Sequence, residues 1–193
     1  MIRSRILLLV VLSLSLVLLA FIFFLSSGGG GTVGEPPPEL GGKEPGPQPE
    51  TVELKKVNLF FLSEKDGLLH PEEREIVSSP TPEREAARVV EELIKGSRQG
   101  LISPLPAEAR IRQVYLTKEG TAYVDFSREF SERHPSGSSA EIDTVYCLVN
   151  SLVYNFKSVK RVFILVNGDE KETLSGHIGL TKAFLPDFSM VAR

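Results

Sequence analysis

Twenty consecutive residues without a charge, Ile6–Leu25, set the first constraint on this chain. Ser13 and Ser15 are the only polar side chains in the run. A helix rises about 1.5 Å per residue, so this length matches the ~30 Å hydrocarbon core of a bilayer. Arg3 and Arg5 precede the run and no acid does, which keeps the N-terminus on the cytoplasmic side. A cleavable signal peptide carries a shorter apolar region, roughly 7–15 residues, and ends on small side chains. Here bulky residues persist through Phe21–Leu25. Residues 1–25 are therefore expected to be an uncleaved signal anchor with a transmembrane helix over 6–25. Cleavage between Ser26 and Gly31 is the alternative. No cysteine lies near the end of the run, so a lipid-modified cysteine is not the anchor.

Residues 26–50 contain eight Gly and six Pro and no aromatic side chain, so they cannot bury enough apolar surface to fold. They are expected to be a disordered linker. Residues 51–193 have the length of one domain. Their 19 Lys/Arg and 21 Asp/Glu leave a net charge of −2, which gives no reason to expect nucleic-acid binding or adhesion to anionic lipid. Cys147 is the only cysteine, so an intrachain disulfide is impossible and stability must come from the core.

Within that domain Val57–Leu62 reads as a buried strand. Ser63–Pro71 contains the turn signal Lys65-Asp66-Gly67, and Glu75–Ser78 is a second short strand. Thr81 and Pro82 open a helix, the first as cap and the second at a position where its missing N–H costs nothing. Ala86, Val89, Val90, Leu93 and Ile94 form its buried stripe, and Gly96 ends it. Arg110–Thr117 and Thr121–Ser127 form a hairpin around Lys118-Glu119-Gly120. Ser138 or Ser139 caps a second helix that runs to about Phe156. Its stripe is Ile142, Val145, Val149, Leu152 and Phe156, widened by Leu148 and Val153. Lys160–Asn167 is apolar on both faces, which argues for a central strand. Asn167-Gly168 is a turn, and Thr173–Ser175 a last short strand. The expected fold class is α+β, with two helices packed on one face of a single mixed or antiparallel sheet.

The residues that could carry chemistry are scattered. His70, His134 and His177 lie in separate loops, without a second ligand at metal spacing. Asp125 is a lone carboxylate at a strand end, where bonding backbone N–H groups suits it better than acting as a base. Ser127 and Ser175 lack a nucleophile elbow. Cys147 lies beside a buried stripe and reads as a small core residue. No phosphate-binding glycine loop occurs in the domain. These patterns predict no catalytic residue, no cofactor site and no metal site.

Four segments in order carry a resemblance. They are Ala122-Tyr123-Val124-Asp125-Phe126-Ser127 with Phe130 after it, Gly137-Ser138-Ser139-Ala140-Glu141, Val159–Gly168, and Leu174-Ser175-Gly176-His177-Ile178. Together they resemble the GerMN domain of bacterial sporulation and spore-germination proteins, over about residues 54–188. The resemblance implies a non-enzymatic envelope domain, similar in fold to the ring-building motifs of secretion and sporulation complexes. The function expected is a membrane-tethered, extracytoplasmic interaction or scaffold module of the cell envelope. Its partners would be other envelope proteins or further copies of itself, with the N-terminal helix in the membrane and no nucleic acid involved. A ligand- or glycan-binding accessory domain is the second reading, disfavoured by the lack of Trp. A hydrolase using Asp125 and His177 is the third.

Overall fold

The computed structural model describes residues 53–193. The expected anchor, residues 1–25, and the linker, residues 26–50, lie outside the described residues. Among those described, no helix is long and apolar enough to cross a membrane.

The first strand, β1 (Leu54–Leu62), pairs antiparallel with β2 (Leu69–Val77) in unbroken register from Leu54↔Val77 to Leu62↔Leu69. The connecting turn uses Asp66, whose carboxylate accepts the N–H of Leu68 at 3.1 Å. The second strand is longer than its sequence suggests and begins six residues earlier. It contains Pro71, tolerated because β2 is an edge strand and no ladder bond is lost there. The helix α1 (Pro82–Lys95) follows, with Thr81 at its cap position and Pro82 in its first turn. The Thr81 side chain makes no capping bond. Gly96 ends the helix at φ 87°, as the sequence predicts.

A second sheet holds β3 (Ile111–Leu116), β4 (Thr121–Phe126) and β5 (Arg161–Val166), in the order β3-β4-β5. β3 and β4 are an antiparallel hairpin with a bulge between Ile111 and Gln113. β4 and β5 run parallel, joined through the short helix α2 (Glu129–Glu132) and the long helix α3 (Ser138–Asn155). The single sheet expected from sequence is thus corrected to two. The central strand of the larger one is β4, not β5. β5 is apolar on both faces for another reason. Val162, Ile164 and Val166 face the core, while Phe163 packs on Tyr123 at 5.3 Å on the opposite face. Beyond β5 the chain returns at Phe184, which exchanges both backbone hydrogen bonds with Val162.

Two further corrections concern ends. Gly137, not Ser138 or Ser139, stands at the α3 cap position, at φ 138°, a backbone conformation that glycine adopts without strain. Thr173–Ser175 is not a strand. It belongs to a tight loop closed by a bridge between Thr173 and Gly179. The Asn167-Gly168 turn is as expected, with φ of 58° and 90°.

The core is continuous. Leu59 and Phe61 of β1, Leu93 of α1, Phe126 of β4, Leu148 and Leu152 of α3 and Ile164 of β5 are all fully buried within it. Phe126 and Phe130 stack at 4.0 Å with their rings 9° apart. Each such side chain contributes about 1.5–3 kcal/mol of burial. The helix α1 packs on β3 and α3 on β5 and β1.

The contact of α3 with β1 is polar as well as apolar. Cys147, Ser151 and Asn155 recur every four residues and so share one helix face. Cys147 Sγ donates to the Phe60 carbonyl at 2.9 Å, and Ser151 Oγ accepts the Phe60 N–H at 3.0 Å. Asn155 accepts the Asn58 N–H at 2.9 Å and donates to the Asn58 carbonyl at 2.6 Å. These side chains, with Ile102 bonded both ways to Leu62, close the edge of β1 that β2 leaves open.

Candidate functional site

Most of the sequence-selected polar side chains have a definite partner. Glu141 lies in the first turn of α3, fully buried. Its carboxylate accepts the N–H of Ile178 at 2.8 Å, the N–H of His177 at 3.2 Å and the His177 Nδ1–H at 2.9 Å. Burial alone would raise the Glu141 carboxyl. The N–H of Ile178, the His177 ring and the N–H groups of Ser175 and His177 outweigh it and hold it at about 2. The motifs Gly137–Glu141 and Leu174–Ile178 are therefore two halves of one clip, which ties a loop to the start of a helix. Ser131 donates to the Leu174 carbonyl and accepts from Lys171, securing the other end of that loop.

His134 Nδ1 donates to the Pro135 carbonyl at 2.6 Å, and Nε2 lies 2.6 Å from the Thr144 hydroxyl oxygen, which also lies 2.9 Å from the Pro104 and Ala140 carbonyls. Burial lowers its pKa and favours this neutral form. His70 donates to Asp66 at 2.8 Å on the surface, where the Leu68 N–H and then the His70 ring hold Asp66 at about 2. Asp125 accepts the Gly168 N–H at 2.8 Å and lies 3.5 Å from the Arg112 guanidinium. It fastens the Asn167-Gly168 turn, the role its position suggests. Ser127 Oγ accepts the Arg110 N–H, extending the β3–β4 ladder. Ser136 reaches the Ser175 carbonyl at 3.5 Å. Cys147 is buried, and desolvation followed by the Asp143 charge pushes its thiol pKa up. Asp125 and His177 thus belong to different networks. Among the described residues no three His, Cys, Asp or Glu side chains converge as metal ligands.

One cluster escapes sequence reading. Arg74 of β2 is buried between Glu72 at 2.6 Å and Glu92 of α1 at 2.8 Å, and also donates to the Gly96 carbonyl at 2.6 Å. Ser97 Oγ and the Arg98 N–H complete the shell of Glu72. Burial works to raise both carboxyls, but Ser97, Arg74 and the Arg98 N–H hold Glu72, and Lys95 and then Arg74 hold Glu92, below the usual range. The Glu72-x-Arg74 alternation looks like a solvated strand face, and nothing local marks it as buried.

The accessible features are surfaces. Tyr115, Tyr123 and Phe163 form one row across β3, β4 and β5 on the sheet face away from the core. Tyr115 is 51% exposed. A cleft of about 490 Å³ separates α1 from the start of β3, with Ile94, Ala109 and Ile111 in its wall. A smaller one, about 240 Å³, holds Asp143 among Leu62, Ile102, Pro104 and Pro106.

The chain matches the family model described as Germane: Sporulation and spore germination, over residues 58–172. It is similar to the structure of the tandem GerMN domains of the sporulation protein GerM from Bacillus subtilis. That likeness has 22% identity and a TM-score of 0.57, covering 69% of this chain and 46% of that one. The first GerMN domain of the same protein is similar at 23% identity and a TM-score of 0.54, covering 69% of this chain and 97% of that one. A putative lipoprotein from Clostridium perfringens is similar at 20% identity and a TM-score of 0.50, covering 72% and 91%. No curated protein sequence matches. This chain spans about half the length of the tandem-domain structure, and these identities speak to the fold. The family match and the shared fold lead to one conclusion: the chain belongs to the Germane family of sporulation and spore germination, and residues 58–172 lie in a domain of the GerMN type.

Proposed function

We propose that this is a non-enzymatic interaction module of the bacterial envelope, tethered by Ile6–Leu25 with its folded domain outside the cytoplasm. One observation carries the reading. The titratable candidates are tied into loops and turns, whereas the Tyr115–Tyr123–Phe163 row lies on the outer sheet face, with Tyr115 exposed and Tyr123 and Phe163 partly buried. Aromatic side chains on a rigid sheet supply large contact area at low entropic cost, and such residues dominate protein interfaces. A tether adds local concentration at the membrane. Scaffolding in a sporulation or germination complex, by docking another envelope protein or by ring-forming contacts between copies, is the role this supports. Ring closure would need a head-to-tail contact between two different patches.

The test is a photo-crosslinking amino acid at Tyr115 of the full chain, in cells producing it at native level. An adduct with an envelope protein or a second copy is expected, lost when Tyr123 and Phe163 are both changed to Ser. These side chains lie outside the core, so the double variant should melt within a few degrees of the parent. Turnover of a substrate by the purified chain, abolished by His177→Ala without loss of fold, would overturn the reading.

A further inference from the structure

The four strand edges of the domain are treated differently. The β1 edge is closed by α3 and Ile102. β2 carries Pro71, Glu73 and Glu75 on its outer side, and at Leu69 the carbonyl takes the Ala192 N–H. A proline and two charges are ordinary guards against strand addition. β5 is bridged by Phe184 at Val162, and Val166 receives Asp169.

β3 has no such cover. Gln113 and Tyr115 pair with Asp125 and Tyr123, and Thr117 donates to the Thr121 carbonyl. Strand alternation then turns the N–H and C=O groups of Val114 and Leu116 away from β4. Among the described residues neither group has a hydrogen-bond partner. The strand reads Ile-Arg-Gln-Val-Tyr-Leu, with no proline and no acid. Beside its first residue opens the cleft against α1, with Ile94, Ala109 and Ile111 inside and Glu91 and Lys95 in its wall.

The geometry points to the β3 edge as a strand-docking site. An extended acidic segment of a partner protein adds there as a fourth strand, placing one apolar side chain in the cleft beside α1. This rests on the interaction reading above and specifies its contact. Main-chain bonds to Val114 and Leu116 give affinity, and the cleft gives selectivity. Charge selects the occupant. Residues 110–118 include Arg110, Arg112 and Lys118 and no acid. Antiparallel pairing of two β3 edges about Tyr115 would set Arg112 of each copy opposite Lys118 of the other, a repulsive arrangement. An acidic strand meets the same positions favourably.

The experiment uses the full ¹⁵N-labelled chain in detergent micelles and the peptide acetyl-EVDVEV-amide. The amide hydrogens of Val114 and Leu116 should exchange readily in the free chain and slow about tenfold or more with peptide. The peptide acetyl-KVKVKV-amide should not protect them. Leu116→Pro removes one outward N–H and should abolish the protection. Because Leu116 also packs against the core, Lys118→Glu serves as the second variant. It is exposed, should melt like the parent, and should weaken peptide binding. Edge amides already slow in the free chain, no protection by the acidic peptide, or equal protection by both peptides would overturn the assignment. Protection that rises with protein concentration alone would give the edge to a second copy and overturn the acidic occupant. Failure here with the Tyr115 adduct still present would remove the edge site and leave the interaction module standing. Loss of the adduct alone would bear on the broader reading.

Discussion

Replacing Glu141 by Ala tests whether the GerMN motif residues act by holding a loop. The substitution removes the acceptor of two backbone N–H groups, those of Ile178 and His177, and of the His177 ring. A buried donor left unpaired costs about 1–3 kcal/mol. Ile178 is partly buried and His177 is 48% exposed at its side chain, so water can rescue the second donor better than the first. A net loss of about 3 kcal/mol follows, a large share of the 5–15 kcal/mol of a typical domain. At roughly 2–4 °C per kcal/mol for a chain of this size, the midpoint should fall by about 6–12 °C. Glu141→Gln should cost less. Its oxygen can take both backbone N–H groups, its NH₂ can donate to a His177 ring protonated on Nε2, and only the charge assistance is lost. The acid dependence has a defined sign. The folded pKa, about 2, lies below the ordinary 4.5, so this stabilisation is full above 4.5 and drains away as pH falls towards 2. Calorimetric melts of parent and both variants from pH 7 to pH 2 give the result. An Ala variant melting within about 2 °C of the parent at pH 7, or a gap that persists undiminished at pH 2, would refute the clip.

Arg74→Met leaves the buried Glu72 carboxylate with the Ser97 hydroxyl and the Arg98 N–H but without its cation, while Glu92 keeps Lys95 and Arg98, and should cost about 3 kcal/mol by chemical denaturation. Restoring stability with Glu72→Gln added would confirm the cause. Asp143→Asn should melt above the parent at neutral pH. Burial raises the Asp143 pKa above its ordinary 3.8, so the charged form is penalised at high pH and the penalty vanishes below that value. The advantage of Asn should therefore disappear in acid. Cys147 should resist maleimide in the native chain and react fully in denaturant, because its thiol is buried and its pKa raised.

Much of the fold was legible where one local rule governs. Pro82, Gly96 and the Asn167-Gly168 turn are backbone requirements written in single residues. The α1 stripe and the β3–β4 hairpin are periodicities that tertiary contacts leave intact. The failures share a cause: burial or pairing that depends on residues distant in sequence. Most of β2 was missed because Glu72 and Arg74 look solvated until Glu92, Gly96 and Ser97 surround them. β5 read as central because Phe163 faces Tyr123, a pairing no window of sequence contains. Glu141 looks like an ordinary helix-start acid until the loop at Ile178 comes back to it. That His177 lies in a loop is legible, but its partner is not.

The closing of the β1 edge by Cys147, Ser151 and Asn155 also fixes an order of events. The bonded groups are separated by 87, 91 and 97 residues of chain. During synthesis at about 5–20 residues per second, the first hairpin is made roughly 5–20 s before the helix that covers it. Through that interval Val57–Leu62, apolar but for Asn58, has no α3 to cover its open side, and its own guards sit on β2, at the far side of the hairpin. Contacts this distant in sequence also slow folding. The most aggregation-prone moment in the life of this domain therefore comes before α3 exists, and anything that delays the second half of the chain prolongs it.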